Sequence, residues 1–211
     1  LVTAYWCKGW LIEDNEITGV IEDGQHNDCL QSVWGGDGLT FQGNYLHDNN
    51  CQTFFLKDGH TSNIVFHDNL SVRNRVGSAP VVGQIWNSSD VSIENNTIWD
   101  ESGFYLRYGS VDDIFPDGPL EGFVVTNNVF EDFVPYDDFE SDDNRAGVFT
   151  DPDVLEEDFN LFGGGWTWVH EHMGSHSVED TTPDFVNPTT NAADDLASGD
   201  WRLDSSITEN G

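Results

Sequence analysis

LTFQGNYL (Leu39–Leu46), IVFHDNLS (Ile64–Ser71) and VSIENNTI (Val91–Ile98) share one pattern: a short apolar/polar alternation, an Asn, then apolar residues again. WLIEDNEI (Trp10–Ile17) and FVVTNNVF (Phe123–Phe130) repeat it, and DFNLF (Asp158–Phe162) is a degenerate sixth copy. The recurring asparagines are Asn15, Asn44, Asn69, Asn96, Asn128 and Asn160, separated by 29, 25, 27, 32 and 32 residues. Alternation with period two places successive side chains on opposite faces of a strand. No segment keeps a 3.6-residue apolar period for three turns, so helices are not expected. One residue type recurring at a turn every 25–32 residues means stacked rungs, each too small to bury its apolar stripe alone. Asn tolerates the left-handed bend that turns a chain, and stacked amides hydrogen-bond from rung to rung. The six asparagines are therefore read as structural. The sequons at Asn69, Asn87 and Asn95 are weak glycosylation signals, because Asn69 and Asn95 lie in or beside this ladder.

Between the Asn segments lies a second strand set: CLQSV (Cys29–Val33), TFFLK (Thr53–Lys57), VVGQIW (Val81–Trp86), GFYLR (Gly103–Arg107) and GVF (Gly147–Phe149). Alternation points Phe54, Leu56, Gly83, Ile85, Phe104 and Leu106 inward. The outward residues then stack in two columns. One reads Gln31, Phe55, Gln84, Tyr105; the next reads Val33, Lys57, Trp86, Arg107. A slip of one residue would destroy both columns. Loops are expected at 108–122, 134–146, 163–183 and 189–200, and the last segment would cover an exposed sheet edge. The domain expectation is one all-β unit over residues 1–211, with 163–211 as C-terminal loops and cap.

Composition narrows the partners. Of 211 residues, 39 are Asp or Glu and only 7 Lys or Arg, a formal charge of −32. Such a surface has no basic face with which to displace counterions from nucleic acid, and it disfavours docking on anionic lipid. No apolar run approaches a membrane span. The 8 Trp and 14 Phe argue against a disordered acidic chain. Lysine depletion beside an Asp excess suits a halophilic source, or a secreted protein in a saline or Ca²⁺-rich setting, because salt screens the self-repulsion. The opening LVTAYWCKGW lacks a basic stretch followed by an apolar one, so it is not read as a signal peptide. Cys7, Cys29 and Cys51 allow one pair, preferably Cys29–Cys51, or three ordinary thiols.

The repeated rungs resemble the right-handed parallel β-helix of the pectin-lyase-like superfamily. HNDCLQSVWGGDGLTFQGNYLHDNNCQTFFLKDG, from His26 to Gly59, is similar to secreted members whose first sheet reads H-x-D-x-x-Q. The tail, with GSHS (Gly174–Ser177), DFVNP (Asp184–Pro188) and DWRL (Asp200–Leu203), looks like the ends of many such surface proteins. The resemblance implies a single-stranded right-handed parallel β-helix of about six coils with a capping C-terminal segment, roughly 30 Å long at about 4.8 Å per rung. The chain opens inside a rung without the helix that caps such folds, so earlier coils are expected. The superfamily spans lyases, hydrolases, epimerases, adhesins and phage tail parts, so fold alone does not fix activity.

In such folds the sheet carrying the outward columns typically forms a saccharide groove. Trp and Tyr stack on sugar rings while Lys and Arg pair with carboxylates. The expected ligand is an acidic, uronate-containing polysaccharide outside the cell or at its surface, cleaved by β-elimination. That reaction needs a base for the proton α to the carboxylate and groups that neutralise the carboxylate. Lys57 is the candidate base, with Gln84 and Arg107 as neutralisers and Gln31, Phe55, Trp86 and Tyr105 as binding residues. The competing reading pairs Lys57 and Arg107 with surface acids. His26 and Asp28, two apart, form a second acid/base candidate beside Gln31; a hydrogen-bonded turn is the alternative. The alternative functions are a non-catalytic carbohydrate-binding or adhesive module and a structural segment of a larger extracellular or viral appendage. His170, His172 and His176 could bind Zn²⁺, but His176 falls in the GSHS motif and reads as structural, so no metal site is assigned. The acidic run Tyr136–Arg145 invites Ca²⁺ as the one possible cofactor, against a plain solvated charge run.

Overall fold

The computed structural model describes residues 2–20, 28–57, 59–74, 83–99, 104–107, 121–136, 152–163, 174–179, 185–187 and 200–203. Among them every regular element is a strand. Chain order explains the architecture. The long strand β1 (Val2–Glu13) turns at Asn15 into β2 (Glu16–Thr18), and β3 (Asp28–Gln42) turns at Asn44 into β4 (Tyr45–His47). The next repeats break into three pieces each: β5 (Gln52–Lys57), β6 (Thr61–His67) and β7 (Leu70–Val72), then β8 (Gly83–Trp86), β9 (Ser88–Glu94) and β10 (Thr97–Trp99). β11 (Phe104–Arg107), β12 (Phe123–Thr126) and β13 (Val129–Phe130) follow, then β14 (Phe133–Tyr136), β15 (Leu155–Asp158) and β16 (Leu161–Phe162). The last elements are β17 (Val178–Glu179), β18 (Phe185–Asn187) and β19 (Asp200–Leu203).

Strands of like position pair in parallel. A ten-stranded sheet runs β14-β11-β8-β5-β3-β6-β9-β12-β15, with β1 also on β3, and a seven-stranded sheet runs β17-β16-β13-β10-β7-β4-β2. The larger sheet is strongly curled, because β3 belongs to both of its arms. Leu30 pairs with Phe54 in the first arm, and Leu39 pairs with Ile64 in the second. Among the described strands, only β18 and β19 pair antiparallel.

The inward faces meet in one core that includes Leu30, Phe41, Phe54, Phe66, Ile93, Phe104, Phe130 and Phe162. Phenylalanines run through it as a spine: the Phe41 and Phe66 rings stack at 5.3 Å, Phe66 and Phe104 lie 5.6 Å apart, and Phe130 and Phe162 stack at 6.0 Å. Gly83 sits between Phe54 and Phe104 in register. A Cβ there would come within 2.5 Å of the Phe104 ring, so the missing side chain is what lets that ring fill the core.

The expected Asn ladder is present. The side-chain amide of Asn15 donates to Asn44 Oδ1 (3.0 Å), and the same bond recurs from Asn44 to Asn69 (3.1 Å), Asn69 to Asn96 (3.0 Å), Asn96 to Asn128 (2.9 Å) and Asn128 to Asn160 (2.9 Å). At the far end the Asn160 backbone N–H donates to Ser177 Oγ at 2.9 Å. The left-handed bend, however, falls one residue earlier than expected. Asp14, Gly43, Asp68, Asn95, Asn127 and Phe159 carry φ of 54–62°. The ladder asparagine is thereby free to spend its side chain on neighbouring rungs. A second ladder, absent from the sequence reading, lies at the other end of β4 and β7: Asn49 Oδ1 accepts from Val20 N–H (2.9 Å), and Asn74 Oδ1 from Asn49 N–H (3.0 Å).

Two strand expectations need correction. Residues 134–136, read as the start of a loop, are strand, and β14 occupies the first-arm position assigned to GVF. Gly147–Phe149 itself lies outside the described residues. CLQSV is the first part of the continuous β3, because that strand passes from one arm to the other without a break.

Candidate functional site

The first arm sets the outward columns in the expected register. Gln31 pairs with Phe55, Phe55 with Gln84, and Gln84 with Tyr105. In the next column Val33 pairs with Lys57 and Trp86 with Arg107. Leu56 pairs with Ile85, so Lys57 and Trp86 follow on successive rungs.

The column is not the open groove that alternation alone suggested. Phe55, Gln84 and Tyr105 are 5%, 6% and 8% exposed. Alternation tells which face a residue takes but not whether that face is covered. Access is left at the margin, where Gln31, Lys57 and Trp86 are half-buried. Lys57 Nζ sits 5.4 Å from the Phe55 ring centroid, a cation–π placement. Gln84 Oε1 accepts a 2.8 Å hydrogen bond from Trp86 Nε1, so this amide fixes the indole edge. Gln84 thus positions Trp86 through its amide oxygen. Only the backbone of Arg107 is described.

His26 lies outside the described residues. Asp28 is buried at the start of β3 and pairs with Gln52. It shares the face of Leu30, the core face, while Gln31 takes the opposite one. Asp28 and Gln31 therefore do not meet in one groove. Cys29 and Cys51 form a disulfide with Cα atoms 5.7 Å apart, stapling β3 to the approach of β5.

The most developed polar constellation lies on the outer face of the seven-stranded sheet. Neither His47 nor its partners were assigned a role from sequence. His47 is buried with carboxylates at both ring nitrogens: Glu16 Oε1 lies 3.0 Å from Nε2 and Asp48 Oδ2 lies 2.7 Å from Nδ1. Its ring stacks on Tyr45 at 4.4 Å between centroids. Arg73 donates to both oxygens of Asp48, at 3.0 Å from Nε and 2.7 Å from Nη2. Those bonds, with the His47 contact, hold the Asp48 carboxyl below the usual range, while burial pushes the Tyr45 hydroxyl up. Both ring nitrogens of His47 can donate to the carboxylates only when the imidazole is protonated. The network joins three successive rungs, through Glu16, His47–Asp48 and Arg73. The legible signal was the repeated His-Asp-Asn at 47–49 and 67–69, where His67 Nδ1 also meets Asp68 at 2.7 Å.

His176 takes the structural role expected of it. Its Nδ1 lies 2.7 Å from Asp158 Oδ2, its backbone N–H donates to Asp158 Oδ1 at 2.8 Å, and its ring stacks on Phe159 at 4.5 Å. These bonds lower the Asp158 carboxyl. Ser177 Oγ, which receives the end of the Asn ladder, donates in turn to Glu157. His170, His172 and residues 137–145 lie outside the described residues. Among the described ones, no three His, Cys, Asp or Glu side chains converge as a metal set. None of the elements is a helix long and apolar enough to cross a membrane.

Comparison of the chain with family models, with curated proteins and with solved structures returns no match.

Proposed function

We propose that the chain is a section of a right-handed parallel β-helix of about six coils, residues 1–211 being one domain with 163–211 as loops and cap. Its first arm binds an acidic, uronate-containing polysaccharide outside the cell or at the cell surface. The observation that carries this reading is the register that sets Lys57, Trp86 and Arg107 on successive rungs beside an aromatic and amide column. Rungs spaced about 4.8 Å apart match the advance of an extended sugar chain by one ring per rung. Trp86, oriented by Gln84, offers a ring to stack on a sugar face, and Lys57 offers a charge for a carboxylate. Lysine is scarce on this chain, and its placement beside two aromatic rings is what singles it out.

The catalytic extension is β-elimination. In that reaction Lys57 serves as the base that takes the proton α to the uronate carboxylate, and the pairing with that carboxylate passes to Arg107. The electron pair left on that carbon forms the new double bond, and the glycosidic oxygen on the next carbon departs as a hydroxyl, taking up a proton from solvent water. Arg107 stabilises the carboxylate as negative charge builds on it. The second reading is binding without turnover, as an adhesive or structural module. The burial of Phe55, Gln84 and Tyr105 favours it, since little of the column is left to enclose a reacting sugar.

The test incubates the protein with alginate, pectate and glycosaminoglycans at low and high salt. Retention of the protein on immobilised glycan reads binding, and ultraviolet absorbance from unsaturated ends reads elimination. Binding with new absorbance supports the lyase, and binding alone supports the module. No binding to any of them removes the polysaccharide reading.

A further inference from the structure

The corner where β3 passes from one arm to the other holds a bulky residue in a conformation that bulky residues avoid. Trp34 has φ 69°. On the following rungs the same corner uses Gly59 (φ 143°) and Asn87 (φ 44°), residue types that enter the left-handed region readily. Tryptophan is not such a residue, and strain of this kind persists where the surroundings impose it. Trp34 is 44% exposed, so part of the indole faces solvent.

The neighbouring backbone is fitted to this conformation. A Cβ on Gly59 would lie 2.7 Å from the carbonyl carbon of Trp34, and one on Gly35 would lie 2.5 Å from the His60 carbonyl oxygen. The corner is thus tightly built beside an indole that is partly exposed. Its place in the register is informative. Trp34 directly follows Val33, the Cα partner of Lys57, and Trp86 comes on the next rung. Trp34, an exposed aromatic among the described residues of this region, therefore neighbours in register the Lys57 and Trp86 positions of the column.

We infer that Trp34 is the principal stacking platform of the glycan site, a binding residue that takes the apolar face of a sugar ring while Lys57 takes the carboxylate. This rests on the polysaccharide reading of the same arm. An indole has two side-chain torsions, and a fixed corner orders it before the ligand arrives, so little freedom is lost on binding. The left-handed backbone is the cost of aiming the ring outward at a position where glycine would sit without strain.

The test compares wild type with Trp34→Gly and Trp34→Phe, measuring affinity for alginate and pectate oligosaccharides by calorimetry and Tm by circular dichroism. Trp34→Gly is expected to keep or raise Tm, because glycine relieves the left-handed strain, while affinity falls by about tenfold, the loss of one stacked ring. Trp34→Phe, which keeps a ring, is expected to stay within roughly threefold of wild type. Wild-type binding that Trp34→Gly leaves unchanged overturns the inference and spares the polysaccharide reading. A large fall in Tm for Trp34→Gly overturns it too, by making the indole structural. A wild type that binds neither sugar overturns the reading and the inference together.

Discussion

Asn96→Ala is the sharpest probe of what holds the rungs together. Asn96 is fully buried, and its Oδ1 accepts from both the backbone N–H and the side-chain amide of Asn69, each at 3.0 Å. Its own amide donates to Phe66 O (2.8 Å), Glu94 O (3.0 Å) and Asn128 Oδ1 (2.9 Å). Alanine removes all five bonds. Some of the orphaned groups keep a partner: the Asn69 amide still reaches Phe41 O at 3.0 Å, and Asn128 Oδ1 still accepts from the Asn96 backbone at 2.9 Å. The Asn69 backbone N–H and the Phe66 carbonyl lose the side-chain partners described for them. A buried polar group left unsatisfied costs about 1–3 kcal/mol, so two predict a loss of roughly 3–5 kcal/mol. For a chain of this size that is a fall in Tm of about 10 °C. Asn15→Ala is the matched control. Asn15 is exposed and donates to Asn44 Oδ1 and Glu13 O, which water can replace, so its expected cost is below about 1 kcal/mol. Urea unfolding of both variants, with m-values compared, reads the difference. Equal costs for Asn96→Ala and Asn15→Ala would refute the claim that the ladder stabilises through buried, directional bonds.

Four further outcomes follow from the same geometry. Gly83→Ala should cost about 1–3 kcal/mol by thermal melting, because the new Cβ would lie 2.5 Å from the Phe104 ring in the core. Removing the Cys29–Cys51 link, whose ends have a sequence separation of 22, should cost about 3 kcal/mol, read as the shift in urea midpoint between oxidised and Cys29→Ser/Cys51→Ser protein. Asp48 has a lowered folded-state pKa, chiefly from its Arg73 hydrogen bonds, so its contribution is present above the ordinary carboxylate value of 3.8 and is lost as pH falls through the folded value. Asp48→Asn should therefore flatten the stability-versus-pH curve below that value and leave Arg73→Ala with a smaller effect on Tm than in wild type, the Arg73–Tyr45 contact remaining. The self-repulsion of a chain carrying −32 should make Tm climb with NaCl, since the screening length falls from about 30 Å at 0.01 M to about 3 Å at 1 M. A Tm indifferent to salt would count against a halophilic origin.

The sequence by itself determined the parallel stacking of strands, the Asn ladder and the first-arm register, because each depends on signals inside a single rung. Alternation assigns faces, a turn residue marks each rung's end, and matching patterns align Phe55 with Gln84 and Tyr105 without knowledge of anything distant. The Cys29–Cys51 pair was one of the alternatives left open by three cysteines at equal spacing, and the structure decides it. What depends on the neighbouring rung was not legible. The left-handed residue is the one before each ladder Asn, because the ladder amide must reach across rungs while its predecessor makes the bend. The Glu16–His47–Asp48–Arg73 network exists only once three rungs stand in register, since its members are 31, 1 and 25 residues apart. Asp28 turned inward because face is set by position relative to the core residue Leu30, not by kinship with the polar Gln31. The covering of Phe55, Gln84 and Tyr105, and the exposure of Trp34 beside them, were decided by the tertiary structure alone. Burial is a property of everything that surrounds a side chain, and a period-two pattern contains only the strand.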